Sequence, residues 1–66
     1  MAFSVRQART YAGLTQNEMA KRLGISRDAY RKIEQNPETT PVRLAIKISE
    51  VTGIPIDQIF FVQNST

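Results

Sequence analysis

Leu14-Thr15-Gln16-Asn17-Glu18-Met19-Ala20-Lys21-Arg22-Leu23-Gly24-Ile25-Ser26, followed by Arg27 to Glu34, is the stretch that decides the fold. Thr15 and Glu18 have the spacing of a capping box, in which the hydroxyl accepts from the Glu18 amide while the carboxylate reaches back to the Thr15 amide. Leu14 and Met19 are placed as the hydrophobic staple that accompanies such a box. The pattern predicts a helix from Gln16 to about Leu23. Gly24 can then take the left-handed conformation that ends a helix, and Ile25-Ser26 supplies an apolar contact and a new N-cap. A third helix is predicted from Arg27 to about Glu34. Two helices separated by one glycine and a cap residue cannot continue straight, so they fold across each other.

Working outward, a first helix is predicted from about Ser4 to Tyr11, with Val5, Ala8 and either Tyr11 or Ala12 on one face and Gly13 as its stop. Downstream, Asn36-Pro37-Glu38-Thr39-Thr40-Pro41 is a loop. Thr40, with Pro41 at the first helical position, opens a fourth helix running to about Thr52. Leu44, Ala45 and Ile48 form its buried stripe, with Ser49 beside them, and Gly53 closes it. Pro55-Ile56-Asp57-Gln58-Ile59-Phe60 reads as a last short helical turn. The pattern requires no strand, and Phe61-Val62 is the one pair suited to a short one. The expected fold is therefore all-α, a compact five-helix bundle. One domain spans residues 1–66, with a core over about 4–60 and a tail or dimer contact over 61–66.

With 66 residues, no Cys and no His, neither disulfides nor a zinc site stabilises the fold, and most nucleophile and metal chemistry is excluded. A domain this small buries only about 60% of its unfolded surface, so helix packing must supply the stability. No apolar run reaches the roughly 20 residues of a membrane span, and the N-terminus lacks a signal-peptide pattern. The expectations are a cytoplasmic protein with no metal, no cofactor, no membrane association and no domain for a small-molecule effector. Nothing resembles an acid-base pair or an activated nucleophile, so an enzyme is not expected.

The net charge of +3 is unevenly spread. Up to residue 34, Arg6, Arg9, Lys21, Arg22, Arg27, Arg31 and Lys32 face Glu18, Asp28 and Glu34. Beyond it, Arg43 and Lys47 face Glu38, Glu50 and Asp57. The N-terminal half thus offers a positive face for phosphates. At about 100° per residue, Arg27, Arg31, Asp28 and Lys32 share one arc of the third helix, opposite Tyr30 and Ile33. Such an arc is either a solvated face or a set of groove-reading side chains. Three of its four outward residues are basic and follow a helix N-terminus, where they can meet guanine acceptors and phosphates, while Asp28 can accept from cytosine. Gln16, in the first turn of the second helix, is placed to bond a phosphate or to stay plainly exposed. Arg9 and Glu34 look like a pair; exposed it contributes little, and semi-buried it locks two helices together.

The residues Leu14 to Ser26, with Tyr30, Ile33 and Glu34, and the later stretches Leu44-Ala45-Ile46-Lys47-Ile48-Ser49 and Gly53 to Phe60, strongly resemble the lambda-repressor-like helix-turn-helix family of Cro, phage-repressor and Xre-type regulators. The resemblance covers about Val5 to Phe60. It implies that the helix starting at Arg27 lies in the major groove of double-stranded DNA and that the helix starting at Gln16 crosses the phosphate backbone. By position it gives Gln16 a phosphate contact, Arg27, Asp28 and Lys32 base-reading roles, and Arg9 with Glu34 a structural ion pair. Arg31 joins this set from the helical arc, and Asn17 and Ser26, at the starts of the two helices, complete the expected DNA-binding residues. Family members bind palindromic operators as dimers.

Two departures from the family pattern stand out. The loop Gln35 to Thr40 carries no positive side chain, which leaves its backbone amides and hydroxyls for phosphate. Ser49 and Thr52 stand where Ala or larger apolar residues are common, which implies looser packing of the fourth helix. At the C-terminal end, Ile56 and Ile59 are expected in the core and Phe60, Phe61 and Val62 in the dimer contact. The functional expectation is a homodimeric transcriptional regulator, a repressor of phage, prophage or bacterial origin. The alternative is an antitoxin or another protein-interaction module on the same fold.

Overall fold

In the computed structural model, which describes residues 2–60, the chain runs β1 (Phe3–Ser4), α1 (Val5–Tyr11), α2 (Gln16–Leu23) and α3 (Arg27–Gln35). A 3-10 turn (Pro37–Thr39), α4 (Val42–Thr52), a second 3-10 turn (Ile56–Gln58) and β2 (Ile59–Phe60) follow. Both N-terminal boxes are present. Thr15 Oγ1 accepts from the Glu18 amide at 3.1 Å while Glu18 Oε1 accepts from the Thr15 amide at 2.9 Å. Ser4 and Gln7 form a second reciprocal pair at 3.0 and 2.9 Å, which makes Ser4 the cap of α1 rather than its first residue.

Gly24, at φ 73°, ends α2. Its amide donates to the Lys21 carbonyl and the Ile25 amide to the Ala20 carbonyl, 3.1 and 3.0 Å, the paired bonds of a Schellman turn. The same turn recurs at Gly13. In each case the chain reverses out of a helix at a residue without a Cβ.

The core gathers Val5 and Ala8 from α1, Met19, Ala20 and Leu23 from α2, Tyr30 and Ile33 from α3, and Leu44 and Ile48 from α4, closed by Ile54 and Ile59. Of the two alternatives on α1, Tyr11 is 70% exposed and stacks on Phe3, so Ala12, half-buried, continues the inner face.

Several expectations are corrected. Among the described residues there are four α-helices, not five, because the final helical turn is a 3-10 turn of three residues that gives way to β2. The all-α class holds, with one short addition: β1 and β2, two residues each, pair in parallel, Phe3 opposite Ile59 and Ser4 opposite Phe60. The physical reason is local. Pro55 holds extended backbone ahead of the turn, and β-branched Ile59 continues extended at φ −110°, ψ 128° with its side chain buried. Ile56, expected inside, is 42% exposed. Phe61 and Val62 of the expected dimer contact lie outside the described residues, and Phe60 contributes its backbone to β2. Pro41 precedes α4 as its cap, and the Thr40 hydroxyl donates to the Pro37 carbonyl at 2.7 Å instead of capping the helix.

Ser49 and Thr52 do not loosen α4. Ser49 Oγ donates to the Ile54 carbonyl at 2.6 Å, and Thr52 Oγ1 donates to the Ile48 carbonyl at 2.8 Å while accepting from the Ile54 amide. These hydroxyls tie the end of α4 to the segment that leads to β2.

An added Cβ at Gly24 would meet nothing within 4 Å, so the cost of a substitution there is conformational, not steric. Gly24→Ala is expected to lose about 1–2 kcal/mol in urea unfolding, and Gly24→Asn less. Equal midpoints for all three proteins would show that the turn does not depend on left-handed backbone.

Candidate nucleic-acid interface

The short connection Gly24-Ile25-Ser26 sets α2 and α3 across each other. Ser26 caps α3 by accepting from the Ala29 amide at 3.1 Å. With Tyr30 and Ile33 buried, the opposite arc of α3 presents Arg27, Asp28, Arg31 and Lys32 to solvent. Arg31 and Asp28 approach to 3.8 Å with exposures of 49% and 87%, a loose pair that solvent screens and that leaves both free to turn toward another partner.

Behind this face stands a buried polar cluster. The Glu34 carboxylate of α3 accepts from Arg9 Nε of α1 at 2.6 Å through one oxygen and from Gln16 Nε2 of α2 at 3.0 Å through the other. Arg9 also donates from Nη1 to the Leu14 carbonyl at 2.8 Å, in the turn between α1 and α2. The Arg9 and Glu34 side chains are only 13% and 7% exposed. Burial works against the charge on Glu34, but the hydrogen bonds from Arg9 and Gln16, with the positive charge of Arg9, outweigh it and hold the carboxyl below its ordinary titration range. The bond to Glu34 raises the Arg9 guanidinium further above its already high value.

Tyr30 lies under the same cluster. Its hydroxyl is buried beside Glu34 and Arg9 without a well-formed hydrogen bond to either. Burial, reinforced by the Glu34 charge, pushes the phenol up, so it stays neutral.

One open groove is lined by Arg6, Arg9, Thr15, Gln16, Asn17, Arg27, Arg31, Glu34 and Gln35. It brings together Gln16, Asn17, Arg27 and Arg31 of the expected contact residues; Ser26, Asp28 and Lys32 do not line it, although all three are exposed. Arg6 and Gln35 were missed from sequence. Arg6 was legible in principle, since it lies one helical turn before Arg9 and therefore on the same side of α1. Because Glu34 neutralises Arg9, the positive charge of the groove comes, among the described residues, from Arg6, Arg27 and the loosely paired Arg31.

The loop after α3 contributes less than its polar composition suggests. The Thr39 and Thr40 hydroxyls donate to the Asn36 and Pro37 carbonyls at 2.7 Å each. Their amides donate to the same two carbonyls at 2.9 and 3.1 Å.

Comparison with known families matches residues 5–59 to the Helix-turn-helix family. The chain belongs to that family. Its members of this lambda-repressor-like, Xre type are DNA-binding transcriptional regulators. Among curated proteins, an HTH-type transcriptional regulator of Methanocaldococcus jannaschii is 33% identical over 64 residues, 97% of each chain. Another from Archaeoglobus fulgidus is 33% identical over 60 residues, 91% of this chain and 86% of that one. An HTH-type transcriptional regulatory protein of the same organism is 43% identical over 49 residues, 74% of this chain but 16% of that longer protein. These relatives are archaeal, and the expected phage or bacterial source gains no support from them. No solved structure matches the chain significantly.

Because the folded pKa of Glu34 lies below its unfolded value, its contribution is present above the ordinary carboxylate pKa and is lost as pH falls through the folded value. Glu34→Gln is expected to cost about 2 kcal/mol at pH 7. In thermal melts, the gap to the unsubstituted chain should close progressively below about pH 4.3. A gap that persists into acid would mean that packing, not charge, holds the three helices. Tyr30→Phe removes a hydroxyl without a good partner, so its melting temperature should be unchanged or higher; a loss of more than about 1 kcal/mol would reveal a working hydrogen bond to Glu34.

Proposed function

We propose that the chain is a sequence-specific double-stranded-DNA-binding transcriptional regulator of the cytoplasm, acting by binding and not by catalysis. The observation that carries this reading is the pairing of an exposed basic arc on α3 with a Gln16 side chain fixed between α2 and α3. In this reading α3 enters the major groove, where Arg27, Arg31 and Lys32 meet guanine acceptors and flanking phosphates, and Asp28 accepts from a cytosine amine. The N-terminus of α2 faces a phosphate, with Asn17 and the free hydrogen of the Gln16 amide as donors. Ser26, its acceptor face engaged by the Ala29 amide, retains a hydroxyl donor for the backbone. Arg6 adds a phosphate contact from α1, which offsets a downstream loop whose donors are turned inward.

In this reading the chain works as a homodimer on a palindromic operator and represses by occupying the promoter. Family membership supports the DNA-binding part of the reading, and the 33% identity to an archaeal HTH-type transcriptional regulator over 97% of each chain supports the regulatory part.

Selection of binding sites from random duplex DNA with the purified protein tests this, and a short palindrome is the expected result. Enrichment of nothing by folded protein would overturn the reading in favour of a protein-binding module such as an antitoxin. On the selected site, Arg27→Ala should cost about 1–3 kcal/mol and little on random DNA. Arg6→Ala should weaken both equally and reduce the slope of log affinity against log salt by about 1. An Arg6 variant with an unchanged salt slope would remove α1 from the interface.

A further inference from the structure

Apart from Tyr11, which stacks on Phe3 with ring centroids 5.5 Å apart, the large exposed apolar side chains among the described residues are Val42 (75%), Ile46 (47%) and Ile56 (42%). Two of them belong to α4, and Ile56 sits in the turn packed at its C-terminal end. The inner face of α4 is spent on Leu44, Ala45, Ile48 and Thr52. Setting Val42 at 0°, Ile46 falls at about 40°, Glu50 at about 80°, Arg43 at about 100° and Lys47 at about 140°. The outer arc thus carries an apolar strip edged by charge, with Arg43 toward the N-terminal end, Lys47 at mid-helix about 100° around from Ile46, and Glu50 toward the C-terminal end. Arg43, Lys47 and Glu50 form no ion pair among the described residues, and none of these side chains lines the groove between α2 and α3.

We infer that this face of α4 receives α4 of a second copy, antiparallel, about a two-fold axis near Ile46; the inference rests on the homodimeric regulator proposed above and assigns its contact. A two-fold axis requires a self-complementary patch, and Arg43 with Glu50 provides one, while Lys47, about 100° around the helix from Ile46, stays at the rim beside solvent. Arg43 and Glu50 are about 10 Å apart along the helix and lie on either side of Ile46. Antiparallel packing sets Ile46 against Ile46 of the second copy, Arg43 against its Glu50, and Val42 over the end of its α4, where Ile56 is exposed. A parallel arrangement would instead oppose Arg43 to Arg43. The apolar strip is short, so the association is reversible and depends on concentration.

Sedimentation equilibrium of the full chain tests this. The unsubstituted protein should show a concentration-dependent monomer-dimer equilibrium. Arg43→Glu and Glu50→Arg, each creating two like-charge contacts per dimer, should weaken it by about tenfold or more without lowering the melting temperature, since both side chains are exposed. The double variant R43E/E50R should restore it, a rescue that a folding defect cannot mimic. Dimers unaffected by all three variants would overturn the inference and place the contact elsewhere. A chain that stays monomeric, free and on its selected DNA site, would also overturn it. So would an Ile46→Glu variant that loses thermal stability with no change in association, since the strip would then be covered by its own chain. Failure of random-site selection would overturn the regulator reading alone, because the equilibrium is measured without DNA.

Discussion

Three helices converge on one carboxylate. Glu34 accepts from α1 through Arg9 and from α2 through Gln16, and Arg9 reaches on to the Leu14 carbonyl in the turn that joins those two helices. A domain with no disulfide or zinc site to brace it cannot let α2 and α3 slide, because the groove between them exists only at one crossing angle. Apolar contacts around Met19, Tyr30 and Ile33 supply most of the stabilisation, but they are non-directional and tolerate small shifts. The Glu34 cluster does not tolerate them, since each bond has a narrow length and angle. The hydrophobic core therefore makes the fold stable, and the carboxylate makes its surface definite.

The same cluster links stability to recognition. Gln16 is at once a strut to Glu34 and a residue facing the groove, so its position relative to Arg27 and Arg31 is set before any ligand arrives. Long arginines on a free helix would lose rotamer entropy on binding; here only their outer bonds remain to be ordered, because their backbone is already fixed.

Much of the fold was legible because it is written in local chemistry. Thr15 with Glu18, Gly24 and Ser26 each act within a few residues of their own position, and each does what its side chain requires. The Ser4-Gln7 box was written in the same code and passed over. What sequence could not reveal is non-local: the pairing of Phe3–Ser4 with Ile59–Phe60 joins segments that all four helices separate, and neither dipeptide is long enough to show an alternating pattern. The roles of Ser49 and Thr52 were misjudged for a related reason, since a hydroxyl near a helix end looks like a packing fault until the carbonyl it meets, that of Ile54, is known. In the candidate interface, the α3 arc was visible from periodicity alone, and Arg6 could have been placed beside Arg9 by the same spacing, whereas the presence of Gln35 in the groove depends on how α3 lies against α2.

The parallel pair of β1 and β2 also has a consequence for the order in which the molecule is made. β1 is synthesised well before β2, so the strand ahead of α1 has no partner until the segment after α4 has left the ribosome. Helices α1 to α4 can form and collapse earlier, since their contacts are closer in sequence. Final closure waits for the segment after Gly53, which Ser49 and Thr52 hold in place through Ile54. The two strands thus stand or fall together: a chain interrupted before Ile59 lacks both, not one, and leaves Phe3 and the start of α1 without their support.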